Sequence, residues 1–63
     1  MTRRIYWMEK ATARLLTISA RKKLPTIGTF VNLIAKKQKL KVKILSVELS
    51  YFDDYYEIYV EIA

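Results

Sequence analysis

No cysteine and no histidine occur in this chain, glycine and proline occur once each, and no lysine or arginine follows Lys43. Each absence removes a class of explanation. Without thiols there is no disulfide framework, and nothing argues for an oxidising compartment. Without thiols or imidazoles the usual zinc sites are excluded, as are nucleophiles activated by a histidine base. Gly28 alone cannot build a glycine-rich phosphate loop or a dinucleotide fingerprint. Apolar runs stop at three or four residues, as in Leu33-Ile34-Ala35, so no transmembrane helix is predicted and no membrane partner is expected. The N-terminus carries arginines but no h-region, which does not read as a signal peptide. A cytoplasmic location is the default expectation.

What is present is charge, and it is segregated. All twelve lysines and arginines lie in residues 1–43 against Glu9 alone, a balance of +11. Residues 44–63 hold Glu48, Asp53, Asp54, Glu57 and Glu61 with no basic residue, a balance of −5. A field divided this way draws anionic partners to one end and cationic partners to the other. Hydrophobic residues make up 52% of the 63, too many for a disordered tail. A lone core in so short a chain seldom supplies more than about 3–5 kcal/mol, so a partner or self-association is a natural supplement. One glutamine, one asparagine and abundant Lys, Arg, Ile and Tyr resemble thermophile usage.

The periodicity predicts an α+β domain spanning 1–63, with two helices packed on a C-terminal antiparallel hairpin in the order α-α-β-β. In residues 3–23, Ile5, Met8, Leu15 and Ile18 recur at spacings of three and four, which predicts an amphipathic helix. In residues 26–37, Ile27, Phe30, Val31 and Ile34 follow i, i+3, i+4, i+7 and predict a second, with Leu24-Pro25 as the break. From Lys39 the period becomes two, predicting strands over 39–49 and 55–62. A phase slip at Ile44-Leu45 predicts a β-bulge. Antiparallel pairing then sets Leu49 opposite Tyr56, Val47 opposite Ile58, Lys43 opposite Glu61 and Glu48 near Glu57. A two-stranded sheet is marginal alone, so dimerisation or a partner's edge is expected to extend it.

On the first predicted helix, Arg3, Lys10, Arg14 and Arg21 form a stripe opposite the apolar seam, continued by Lys22 and Lys23. Guanidinium groups grip phosphates bidentately, and Trp7 or Tyr6 on the flanks could stack on an unpaired base. Lys36, Lys37, Lys39, Lys41 and Lys43 form a second basic cluster that reads as auxiliary phosphate contacts. The expected function is therefore non-enzymatic binding to DNA or RNA, mostly independent of sequence. The Asp53-Asp54 pair with Glu48 and Glu57 reads as turn chemistry on a solvated hairpin. No metal, cofactor or small-molecule substrate is expected.

Two short resemblances accompany this reading. Leu24 to Gln38 after a basic helix is similar to a helix-turn-helix with the hairpin as a wing, which implies that Asn32, Lys36 and Gln38 face base edges. Phe52, Tyr55 and Tyr56 resemble part of the box by which many proteins bind sliding clamps, with Leu49 where that family has glutamine. That resemblance implies a protein-binding hairpin. Tyr59 belongs to the same tyrosine-rich surface, and the alternative function is a small regulator or inhibitor docking through Phe52, Tyr55, Tyr56 and Tyr59.

Overall fold

The computed structural model describes residues 2–50 and 54–63. Among them there are five strands and no helix: β1 (Arg3–Glu9), β2 (Arg14–Arg21), β3 (Phe30–Ala35), β4 (Gln38–Ser50) and β5 (Tyr55–Ile62). They form one sheet in the order β2-β1-β5-β4-β3. Sequential neighbours pair antiparallel in the β1–β2, β3–β4 and β4–β5 hairpins, whereas β1 and β5 run parallel. The sheet curls into a half-barrel, which brings its two edges, β2 and β3, near each other without hydrogen bonding them.

The α+β expectation is therefore corrected. Residues 3–23 form the β1–β2 hairpin, and residues 26–37 form a connecting loop, β3 and the tip of the next hairpin. The helix-turn-helix likeness falls with them. Both segments satisfy two periods at once, and the competing period of two is the one that is realised. In β1, Ile5 and Trp7 are fully buried and alternate with Arg4, Tyr6 and Met8. In β3, Val31, Leu33 and Ala35 turn inward. Several residues of the expected helical seams are left in solvent instead, with Ile18 48% exposed and Ile34 72% exposed. Aromatic and β-branched side chains fill both stretches, and these fit a pleated, half-buried surface better than a helix.

The turns explain why no local signal marked these hairpins. Ala13 closes the β1–β2 loop with φ 56°, and Lys36 and Lys37 form the β3–β4 tip with φ 50° and 65°. Two-residue hairpin turns with both φ positive ordinarily use Asn-Gly or Asp-Gly. Here two lysines occupy those positions, at a cost of order 1–3 kcal/mol each that the flanking ladder must offset.

The C-terminal hairpin pairs as its alternation predicts. Leu49 faces Tyr56, Val47 faces Ile58, Lys43 faces Glu61 and Glu48 faces Glu57, with the register shift between Ile44 and Ser46. Leu45 is the extra residue, and it keeps Val42 and Ile44 on the same side as Val47. A second shift in β1–β2 leaves Leu16 unmatched and lets it pack on the core. Bulges bend a strand and sharpen its twist, and these two help to curl the sheet. The expected extension of the hairpin by dimerisation is also corrected, since this chain's own β1 and β3 flank it.

The core inside the curl consists of Ile5, Trp7, Leu33, Val42, Ile44, Ile58 and Val60. Trp7 is the largest fully buried side chain, and its indole N–H donates to Ser19 Oγ at 2.7 Å. That bond removes the penalty of a buried unpaired donor. The observed sheet and the expected helices differ in a way that a mutant pair resolves. Ile58→Ala is expected to cost about 2–5 kcal/mol, enough to unfold a domain of this size. Ile34→Ala should change stability by about 0.5 kcal/mol or less, as exposed substitutions usually do. Urea denaturation followed by circular dichroism measures both, and a large loss at Ile34 would contradict the sheet.

Candidate nucleic-acid interface

The N-terminal stripe rested on helical rotation, and a strand distributes those residues differently. Arg3 and Arg21 become cross-strand partners at one end of the β1–β2 hairpin, while Arg14 pairs with Glu9 at the other. Six strand steps separate Arg3 from Glu9, about 20 Å at roughly 3.3 Å per residue. Arg3 Nη1 donates to Tyr56 Oη at 2.5 Å, and its guanidinium lies 5.4 Å from that ring's centre. Arg21 lies 5.1 Å over Trp7. These two arginines thus cap the inner, core side of the sheet through cation–π contacts. Lys10 is in the β1–β2 turn with Nζ 5.5 Å over Tyr59, and Lys22 and Lys23 are exposed in the bend after β2. Trp7 is fully buried, so its ring offers no face to a base. The structure does not gather these groups into one surface.

It does gather the second cluster. Strand alternation turns Leu40, Val42 and Ile44 inward and leaves Lys39, Lys41 and Lys43 together on the outer face of β4. Lys36 and Lys37, both exposed, extend that basic surface at the hairpin tip. Opposite the lysine row, in register, stands the outer row of β3: Ile34 faces Lys39, Asn32 faces Lys41 and Phe30 faces Lys43. Phe30 is 54% exposed, and Lys41 Nζ lies 5.1 Å from its ring centre. Sequence reasoning missed Phe30, because the helical seam assigned it to the core. The signal available was its place in Phe30-Val31-Asn32-Leu33-Ile34, where the period of two puts Asn32 and Phe30 on one side.

The acidic half of the molecule occupies the outer face of β5 and the far end of β4. Tyr55, Glu57 and Tyr59 lie there, with Tyr6 of β1 packed on Tyr55 at a centroid distance of 4.3 Å. Tyr55 Oη donates to Glu57 Oε1 at 3.2 Å and Tyr59 Oη to Glu57 Oε2 at 3.1 Å. Two phenol donors on one carboxylate make the cross-strand Glu48–Glu57 pairing tolerable. Tyr6 was another residue the sequence did not single out for this surface. Tyr56, next to Tyr55 on the strand, turns to the opposite face and packs on the core, so the two cannot enter one partner groove together. Phe52 lies outside the described residues. No group of three or more acidic side chains among the described residues could hold a metal ion.

No family model matches the chain, and neither a curated protein nor a solved structure matches it at a significant level.

The tyrosine–glutamate cluster has a titration signature. Tyr59's pKa is raised above the ordinary 10.0, first by its hydrogen bond to Glu57 and by that group's charge, then by partial burial and by the charges of Glu48 and Tyr55. Folding therefore favours the neutral phenol. The resulting stability is complete below pH 10 and is lost as pH rises through the folded-state value. Phenolate absorbance, compared between the native chain and Tyr59→Phe, should isolate this late titration. Glu57→Gln should move it back toward the ordinary value, and an unmoved titration would show that Glu57 is not its cause.

Proposed function

We propose that this chain is a non-enzymatic nucleic-acid-binding protein that holds phosphates, without reading sequence, along the lysine-bearing face of the β3–β4 hairpin. The density of lysine along β4 and at the adjoining tip carries this reading. Lysines on an exposed strand commonly serve to block edge-to-edge association. That explanation applies to part of the row, since Lys39 and Lys41 precede Val42, where the ladder to β5 begins, whereas Lys43 is paired with both β3 and β5. Neither edge strand contains a lysine, although β2 carries Arg14 and Arg21. Lys36, Lys37, Lys39, Lys41 and Lys43 are five lysines in eight residues, a cationic surface denser than edge protection requires. The net charge of +6 supplies long-range attraction to any polyanion. A cytoplasmic location goes with such a partner. Among the described residues no helix is long and apolar enough to cross a membrane.

Phosphate contacts make a quantitative demand. With Z phosphates neutralised, log K falls against log salt with a slope of about −0.9Z on duplex DNA and about −0.7Z on single strands. Lys39→Glu combined with Lys41→Glu should weaken binding and flatten that slope by about two contacts. Arg4→Glu, beside Thr2, Ala20 and Asp54 at the opposite end of the sheet, should alter it by about one contact at most. Fluorescence anisotropy of a labelled oligonucleotide across a salt series measures this. Undetectable binding to DNA and RNA at low salt would refute the proposal.

The second reading, a small protein regulator or inhibitor, is favoured by one observation: Tyr6, Tyr55 and Tyr59 surround Glu57 on an outer face with no role in the core. Tyrosines suit interfaces because each joins an apolar body to a polar tip, and the acidic groups suit a cationic partner. On this reading, capture of a partner protein survives nuclease treatment and is abolished by Tyr55→Ala with Tyr59→Ala. Capture that the double substitution leaves intact would exclude this face as the docking surface.

A further inference from the structure

We infer that the β3–β4 face is a site for single-stranded nucleic acid, in which the lysine row of β4 follows the phosphates while the outer row of β3 receives the bases. This deepens the phosphate-binding reading and rests on it. Alternate residues on a strand stand about 6.6 Å apart, a step comparable to one nucleotide of an extended strand. Lys39, Lys41 and Lys43 thus offer one ammonium per nucleotide. Beside each lies its cross-strand partner, Ile34, Asn32 and Phe30 respectively. The second row alternates apolar, amide and aromatic groups, with Phe30 54% and Ile34 72% exposed. Exposed apolar side chains on an edge strand lack any folding role, since the core is built from the opposite face of β3.

The chemistry of that second row selects the ligand. A phenyl ring lying in the sheet surface stacks on the flat face of a base, and every base has one, so the contact is tolerant of sequence. In a duplex those faces are covered by neighbouring bases; only an unpaired strand can turn them toward the protein. Lys41 sits over Phe30, and a base that takes its place on the ring displaces its ammonium toward the phosphate of the same nucleotide. Asn32 is the single amide between the apolar groups and can both donate to and accept from a base edge. Asn32 is thus the only base-edge reader in this row.

The test compares a labelled single strand of about 12 nucleotides, within the range such sites span, with the duplex of the same sequence. DNA and RNA versions form parallel arms. The native chain should bind the single strand more tightly than the duplex at equal salt. Phe30→Ala should weaken single-strand binding about five- to a hundredfold, the range for loss of one stacked base. It should leave duplex binding and the salt slope unchanged, and Phe30→Trp should retain affinity. Because Phe30 is half exposed, the substitution should preserve the fold, which circular dichroism verifies.

Equal affinity for single strand and duplex would overturn the inference, as would a Phe30→Ala effect on neither ligand or on both alike. So would a change in sedimentation with no change in affinity, which would make this face a contact between copies of the chain. If Lys39→Glu with Lys41→Glu weakens binding while Phe30→Ala does not, the base-stacking site fails and phosphate binding stands. If the lysine pair is also without effect, both fail.

Discussion

The parallel ladder between β1 and β5 joins what would otherwise be two pieces, an N-terminal hairpin and a C-terminal three-stranded meander. Ile5 pairs with Tyr56, Trp7 with Ile58 and Glu9 with Val60, and the Lys10 N–H extends the ladder to the Val60 carbonyl at 3.0 Å. Ile5, Trp7, Ile58 and Val60 on this ladder are core residues, and Tyr56 packs on the core. The pairing brings residues near the two ends of the chain side by side, so its entropy of closure precedes any gain from packing. Once made, it places β5 at the centre of the sheet, with Ile58 and Val60 fully buried. The meander then has a hydrophobic neighbour, and its outer face is released from any structural duty.

Much of the meander was legible in the sequence. Lys39 to Leu49 alternates so cleanly that the bulge could be placed at Ile44-Leu45, and the four cross-strand pairs follow from it. The N-terminal half was not legible, for identifiable reasons. Ile5, Met8, Leu15 and Ile18 satisfy helical spacing by coincidence, and nothing in Lys10 to Ala13 announces a turn. The β3–β4 turn is hidden in the same way, because Lys36 and Lys37 adopt left-handed conformations without the glycine or asparagine that normally signals them. A parallel ladder linking residues some fifty apart has no local signature at all.

The candidate site divided along the same line. The lysine row was visible because strands display alternate residues, and its five members do meet at one end of β4 and the adjoining tip. The arginine stripe dissolved because its geometry belonged to a helix. Arg3 and Arg21 instead became lids over aromatic rings, and Trp7 went to the interior. The exposure of Phe30 and the place of Tyr6 on the tyrosine surface were hidden because both depend on the strand assignment of β3 and β1.

Leu45 has one more effect. The lysine limb and the glutamate limb of β4 share the convex side of the sheet, yet they lie on either side of the kink that this extra residue introduces. The two limbs therefore look in different directions. A long anionic polymer lying along the first would leave the second clear, so one rigid strand can present opposite electrostatic faces to two companions without forcing them into each other.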